Sequence, residues 1–83
     1  MSRLEGRVAL VTGAGRGIGA AIARALAGEG LRLGVASRRG EDPGIEGALV
    51  QACDVRRLDS VEAMVDATVE RFGQLDILVA NAG

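Results

Sequence analysis

The sequence lacks the side chains that carry most acid–base chemistry near neutral pH. Its 83 residues contain no tyrosine, histidine or tryptophan, and all ten basic residues are arginine, so lysine is absent as well. General acid–base catalysis near neutral pH usually draws on histidine, tyrosine, lysine or a carboxylate with a shifted pKa. We therefore predict that no residue of this sequence is catalytic.

Cysteine, net charge and long apolar runs are also scarce. The single cysteine, Cys53, cannot form an internal disulfide, which favours a reducing cytoplasm and a small buried role for its side chain. A net charge of −1 indicates neither nucleic acid nor a membrane surface as a partner. The charged start, MSRLEGR, leads into no signal-peptide core, and no apolar run reaches the length of a membrane span. We predict a soluble protein without a membrane, nucleic-acid or metal partner.

The hydrophobic residues alternate between strand and helix patterns along one small domain. They make up 48% of the chain but include a single aromatic residue, so alanine and valine supply much of the core. Continuous apolar runs are typical of buried parallel strands, and strand–helix alternation predicts right-handed crossovers between them. Strands are predicted at 8–12, 31–37, 48–53 and 76–80, and helices at 17–27 and 59–72. The predicted class is α/β, one segment over 1–83, with strand order 3-2-1-4.

The two predicted helices have distinct apolar faces. The first face is made by Ile18, Ile22, Ala25 and Leu26. The second helix is predicted to start at Asp59 as N-cap, with Glu62 completing a capping box, and to end at Gly73. Its apolar stripe is Val61, Met64, Val65, Thr68, Val69 and Phe72.

The link between strands two and three is short, because only residues 38–47 join them. A parallel crossover usually needs about a dozen or more residues, so a helix is predicted to be missing there or reduced to a turn.

Four glycines at every second position follow the first strand, in the stretch VTGAGRGIGAA at 11–21. A glycine-rich turn between a parallel strand and a helix cradles phosphate, because backbone N–H groups and the positive helix end converge on the anion. Two phases fit the motif. The dinucleotide fingerprint G-x-G-x-x-G/A would use Gly15, Gly17 and Ala20, and a second phase would use Gly13, Gly17 and Gly19. An ordinary structural turn is the alternative.

Three stretches in this order and spacing resemble the short-chain dehydrogenase/reductase family: TGAGRGIG at 12–19, CDV at 53–55 and NAG at 81–83. The resemblance covers the whole chain and implies the N-terminal, cofactor-binding portion of a Rossmann-type doubly wound sheet. It implies that Gly13, Gly17 and Gly19 form the pyrophosphate turn and that Asp54 contacts the adenine ring. Asn81, Ala82 and Gly83 would steady the sheet beside the ribose and nicotinamide. Gly15, Ile18 and Val55, within the same motifs, are included in the expected cofactor site.

Two of these residues are also expected at a ligand site from their position alone. Asp54 and Asn81 each follow the carboxyl end of a predicted strand, where open α/β sheets bind ligands. The alternative for Asp54 is a loop carboxylate beside a helix, and the alternative for Asn81 is an ordinary turn residue.

The end of the second strand, ASRRG, predicts NADP rather than NAD. An acid about 20 residues past the glycine turn binds the ribose 2′-hydroxyl, whereas arginine accommodates a 2′-phosphate. Ser37 stands where the acid would be, Arg38 and Arg39 follow it, and Arg16 lies in the turn itself. The alternative is that these arginines are solvated loop charges. Arg56 and Arg57 are interpreted as surface charge outside any site.

The family's Tyr-x-x-x-Lys catalytic motif is absent, and Ser2, Ser37 and Ser60 do not match its catalytic serine. We expect the chain to be a fragment whose full-length protein is an oxidoreductase acting on a carbonyl or alcohol substrate. The resemblance implies a homotetramer or dimer. A non-catalytic nucleotide sensor is the alternative. A methyltransferase that binds S-adenosylmethionine is a weaker alternative, because it would need an acidic residue for the ribose hydroxyls at the end of the second strand, where this sequence has Ser37.

Overall fold

A computed structural model describes residues 3–81. Its elements alternate as the sequence predicts: β1 (Val8–Thr12), α1 (Gly17–Gly28), β2 (Arg32–Ser37), β3 (Leu49–Ala52), α2 (Leu58–Phe72) and β4 (Ile77–Ala80). The four strands form one sheet in the order β3-β2-β1-β4, and every neighbouring pair is parallel. The predicted α/β class and strand order are confirmed.

The register brings the carboxyl ends of the strands to one edge of the sheet. Thr12 at the end of β1 pairs with Ala36 of β2 on one side and with Ala80 of β4 on the other. Ser37 pairs with Ala52 at the end of β3. The segments that follow all four strands therefore meet at this edge.

The two helices cover opposite faces of the sheet, which explains why β1 is buried along its whole length. The first cluster, beside α1, contains Ala9, Val11, Ala14, Ala23, Leu31, Leu33 and Val35. The second, beside α2, contains Leu10, Ala36, Cys53 and Met64, so Cys53 is buried as predicted. Small residues let α2 approach closely, because the backbone of Gly34 faces the side chain of Thr68.

The helix faces differ from the sequence prediction at their ends. Ile18 is 74% exposed, although its neighbours Gly19 and Ala20 in the first turn of α1 are buried. Ala25 and Val69 are also exposed. The predicted apolar faces of the two helices are therefore not covered by the rest of the described chain at these three side chains.

The start of α2 also differs. Arg57 is the N-cap, and the helix begins at Leu58, one residue before the predicted cap. The carboxylate of Asp59 instead accepts bonds from the Arg57 guanidinium at 3.2 and 3.0 Å and from the backbone N–H of Ser60 at 3.0 Å. The predicted capping box is therefore wrong. Gly73 ends the helix with φ +84°, as predicted.

The link between β2 and β3 contains no helix among the described residues, as its length predicts. It is tied to α1 by Arg24, whose Nε and Nη2 donate to the carbonyl oxygen of Pro43 at 3.2 and 3.0 Å. Pro43 itself is buried. These contacts hold the link against α1.

Candidate functional site

An open cleft of about 630 Å³ lies at the carboxyl edge of the sheet. It is lined by Gly13, Gly15, Arg16, Gly17, Ser37, Arg38, Glu41, Cys53, Asp54, Val55, Arg56 and Asn81. The structure thus brings together residues from the turns after all four strands. Of the predicted site residues within 3–81, only Ile18, Gly19 and Arg39 are not part of this lining. Ala82 and Gly83 lie outside the described residues.

The backbone of the turn requires glycine at the positions of the second predicted phase, Gly13, Gly17 and Gly19. Gly13 and Gly17 both have φ +64°, a conformation that side chains disfavour. A Cβ on Gly19 would overlap the carbonyl oxygen of Gly13. Gly15 has no positive φ, and its Cβ would instead meet the side chain of Glu41. The geometry therefore favours the spacing Gly13-x-x-x-Gly17-x-Gly19, while Ala20 is an ordinary buried helix residue.

The N-terminus of α1 is a positive end directed to the cleft. Arg16 is its N-cap residue and Gly17 its first residue, and both line the cleft. Within the described chain, no side chain caps this helix and no acidic residue lies in its first turn. The helix dipole therefore leaves a partial positive charge where the glycine turn opens, which is the arrangement that binds anions.

Asn81 fastens the end of β4 to the glycine turn. Its Nδ2 donates to the carbonyl oxygen of Gly13 at 3.3 Å, and its backbone N–H donates to Oγ1 of Thr12 at 3.1 Å. The Thr12 hydroxyl in turn donates to the carbonyl oxygen of Val79 at 3.4 Å. These bonds fix the position of the turn relative to β4.

The end of β2 supplies a hydroxyl and a cation. Ser37 is buried, its Oγ accepts the backbone N–H of Glu41 at 2.7 Å, and its carbonyl oxygen accepts the backbone N–H of Cys53 at 2.8 Å. Arg38 is exposed and lines the cleft, whereas Arg39 is exposed outside it. Arg16, from the glycine turn, also lines the cleft, so two arginines are part of the same lining.

Asp54 forms a two-pronged ion pair with Arg56. Nε and Nη2 of Arg56 each donate to a different carboxylate oxygen at 3.0 Å, and the backbone N–H of Arg56 donates to Oδ1 at 3.0 Å. These hydrogen bonds hold the pKa of Asp54 well below its ordinary value, with a smaller contribution from the charge of Arg38. Arg56 is a surface charge, as interpreted, since its side chain is 68% exposed, but it also lines the cleft and pairs with a cleft carboxylate.

The sequence reasoning missed three lining residues: Glu41, Cys53 and Arg56. The spacing of Asp54 and Arg56 could have predicted their ion pair. In a turn, a guanidinium two residues after a carboxylate can reach back to it, as Arg56 does here. Glu41 gave no comparable signal, because its place depends on the path of the β2–β3 link. Arg57 pairs with Asp59 away from the lining.

The cleft has the chemistry of a binding site. Arginines, a glycine turn and a helix N-terminus bind phosphate, and carboxylates accept bonds from hydroxyl or amino groups. No group of three or more metal-ligating side chains is found in the described part of the chain. Neither helix within residues 3–81 is long and apolar enough to cross a membrane.

Comparison with known proteins decides the family. A model of the short chain dehydrogenases matches residues 7–83. The chain belongs to the short chain dehydrogenase family. A putative ketoacyl reductase of Streptomyces coelicolor is 46% identical over 93 residues, which cover 100% of this chain and 35% of the relative.

Two solved structures of similar proteins differ in cofactor. The 3-ketoacyl-(acyl-carrier-protein) reductase of Brucella melitensis, complexed with NADH, has a TM-score of 0.84 and 37% identity, covering 90% of this chain and 34% of its own. A variant of actinorhodin polyketide ketoreductase with NADPH has a TM-score of 0.82 and 44% identity, covering 100% of this chain and 35% of its own. This short chain dehydrogenase sequence thus spans about a third of the length of these relatives.

Proposed function

We propose that this chain is the cofactor-binding part of an oxidoreductase that transfers hydride between a nicotinamide and a small carbonyl or alcohol substrate. The observation that carries the proposal is the glycine turn at the N-terminus of α1, where φ is +64° at Gly13 and Gly17. A Cβ placed on Gly17 meets no atom within 4 Å, so the space beside this backbone is open to a ligand. The pyrophosphate of a dinucleotide fits such a turn.

Each wall of the cleft has a distinct task in this proposal. The turn from Gly13 to Gly19 binds the pyrophosphate through backbone N–H groups and the helix dipole. Asp54, oriented by Arg56, accepts bonds from the adenine, with Val55 beside it. Asn81 holds the turn against β4 and, with Ala82 and Gly83, borders the ribose and nicotinamide. Ile18 is exposed next to the pyrophosphate position.

We infer a preference for NADP over NAD. β2 ends in Ser37 rather than in an acidic residue that would repel a 2′-phosphate, and Arg16 and Arg38 both line the cleft. Arginine suits phosphate because its planar guanidinium donates two parallel hydrogen bonds. Arg39 adds a charge outside the lining. The similar structures include one with NADH and one with NADPH, so the preference rests on these side chains.

The nicotinamide supplies the hydride chemistry when bound, and this chain binds and orients it. Proton transfer near neutral pH is most often carried by tyrosine, lysine or histidine, and these 83 residues contain none of the three. We propose that it falls to residues outside this chain, that the complete protein is cytoplasmic, and that it assembles as a homotetramer or homodimer.

The test is a titration of the full-length protein with NADPH and with NADH, monitored by the fluorescence of the reduced nicotinamide. We expect a saturable increase in fluorescence with both cofactors and a lower Kd for NADPH. Absence of binding by either cofactor would refute the proposal.

A non-catalytic nucleotide-binding module is the second candidate, because the cleft lining contains no histidine, tyrosine or lysine within the described residues. The two candidates separate in a turnover assay with a panel of aldehydes, ketones and alcohols. Cofactor binding with no turnover of any substrate favours the module.

A further inference from the structure

We propose that Glu41 is a second specificity-determining residue of the cofactor cleft, and that its carboxylate opposes the 2′-phosphate which Arg16 and Arg38 attract. The inference rests on the proposed function and deepens it. It assigns to one side chain of the β2–β3 link the task of limiting the preference for NADP over NAD.

The side chain of Glu41 lies directly across the glycine turn. A Cβ built on Gly15 would stand 2.7 Å from Cβ of Glu41 and 3.2 Å from its carboxyl carbon, Cδ. The same point lies 3.1 Å from Cβ of Ser37. Gly15, Ser37 and the Glu41 carboxyl group therefore meet at one place in the cleft wall. Gly15 needs to be glycine here because Glu41 occupies the space of a side chain.

The proposed function places the 2′-position of a dinucleotide's ribose at this meeting point. Ser37 stands about 20 residues beyond the glycine turn, at the position where dinucleotide-binding folds place the acid that binds the ribose 2′-hydroxyl. Glu41 brings a carboxylate to the same place from four residues further along the chain. The end of β2 has no acidic side chain, and Glu41 of the link that follows β2 supplies one.

The backbone of the link holds Glu41 there. The N–H of Glu41 donates to Oγ of Ser37 at 2.7 Å, and the N–H of Gly40 donates to the carbonyl oxygen of Ser37 at 3.3 Å. Gly40 has φ +70°, which allows this tight turn directly after β2. Arg24 holds the next part of the link through the carbonyl oxygen of Pro43.

The charge of Glu41 is available to a ligand. Among the described residues, Glu41 takes part in no ion pair, whereas Asp54 is satisfied by Arg56. A carboxylate accepts a hydrogen bond from a ribose 2′-hydroxyl but repels a phosphate at the same position. Glu41 therefore favours the nucleotide without the 2′-phosphate, against the pull of the two arginines.

The experiment measures dissociation constants of NADP⁺ and NAD⁺ by calorimetry on the full-length protein. Removal of one charge from a solvated cleft is worth about five- to tenfold in affinity for a nearby phosphate. Glu41→Gln is therefore expected to lower the ratio Kd(NADP⁺)/Kd(NAD⁺) by about five- to tenfold. Glu41→Asp keeps the charge and is expected to leave the ratio close to that of the wild type.

Glu46→Gln is the matched control, because Glu46 is exposed in the same link but does not line the cleft. It should leave the ratio unchanged, and thermal melting checks that each variant is folded. An unchanged or increased ratio in folded Glu41→Gln, with NADP⁺ still binding, overturns the inference alone. Failure of the wild type to bind either nucleotide refutes the proposed function, and the inference with it.

Discussion

Gly19 packs directly against the carbonyl oxygen of Gly13, so the first turn of α1 touches the end of β1 backbone to backbone. A Cβ on Gly19 would overlap that oxygen and would stand 2.6 Å from Nδ2 of Asn81. Because the same nitrogen donates to the Gly13 carbonyl oxygen, the helix, the turn and β4 are fitted together at one point. The shape of the cleft therefore depends on the contact between Gly19 and Gly13, which any side chain at position 19 would disrupt.

Gly19→Ala is expected to lower the free energy of unfolding by about 1–3 kcal/mol, because the methyl group forces the helix away from the turn. It should also weaken NADPH binding, since the displaced N–H groups are those proposed to hold the pyrophosphate. Urea denaturation and fluorescence titration measure the two effects.

Gly28→Ala is the control for that substitution. Gly28 is in the same helix with no positive φ, and a Cβ there meets no atom within 4 Å. Alanine at this position should stabilise the protein by about 0.4–1 kcal/mol, because it restricts the unfolded chain. Equal stability of the Gly19 and Gly28 variants would contradict the packing described above.

A second close approach joins β2 to α2. A Cβ on Gly34 would stand 2.8 Å from Oγ1 of Thr68 and 3.3 Å from Cδ1 of Leu10. Gly34→Ala should destabilise the protein by about 1–3 kcal/mol through overpacking. Thr68 is fully buried, and its hydroxyl donates to the carbonyl oxygen of Met64 at 2.8 Å.

The partner substitution tests the cause. Thr68→Ala removes two of the three atoms nearest to the new methyl group, Oγ1 and Cγ2. The double variant should therefore be destabilised by about 0.5–3 kcal/mol less than the sum of the two single effects. Strictly additive effects in urea denaturation would mean that Gly34 and Thr68 do not compete for space.

The topology of the sheet was predictable because each element carried its own signal. An apolar run with no alternation indicated β1, and the strand–helix order left parallel pairing as the simple solution. Most cleft residues were predictable for the same reason. Gly13, Gly17 and Ser37 lie at strand ends or helix starts, and the topology alone brings those ends to one edge.

The residues that escaped prediction depend on the path of connecting segments. Glu41 reaches Gly15 only because the link turns back at Gly40, and no periodicity encodes that turn. At the start of α2, Asp59 had the right type for a cap, but its carboxylate pairs with Arg57 instead. Local side-chain competition of this kind outweighs residue preference at a helix end.

Reversing the charge of Arg38 tests the proposed 2′-phosphate contact. Hydrogen bonds to a charged group are worth about 1.5–3 kcal/mol, so Arg38→Asp should raise Kd(NADP⁺) by about 10- to 100-fold. NAD⁺ lacks the phosphate, so its Kd should change by about threefold or less. Calorimetric titration of both nucleotides measures the difference.

Arg39→Asp makes the same charge change one residue further on. Arg39 does not line the cleft, so its effect on NADP⁺ should be much smaller than that of Arg38→Asp. Similar losses from both variants would indicate a general attraction to the link, and equal losses for NADP⁺ and NAD⁺ would remove Arg38 from the phosphate site.

The ion pair between Asp54 and Arg56 makes a prediction about pH. Arg56→Gln removes the guanidinium that chiefly holds the pKa of Asp54 down, so that pKa should rise towards its ordinary value. Because the folded-state pKa is depressed, the pair stabilises the fold above the unfolded-state value of about 3.9. This stabilisation is lost as the pH falls through the folded-state pKa. The variant should therefore be less stable than the wild type at neutral pH, and the difference should shrink in acid.

Carbon-13 NMR of the Asp54 carboxyl group measures the pKa, and thermal melting across the acid range measures the stability difference. Arg57→Gln is the matched control, because Arg57 pairs with Asp59 and only weakly senses Asp54. It should leave the pKa of Asp54 nearly unchanged. A carboxyl titration that is the same in Arg56→Gln as in the wild type would show that the depression comes from the backbone N–H of residue 56, which the substitution retains. Arg56 would then have no part in orienting the cleft carboxylate.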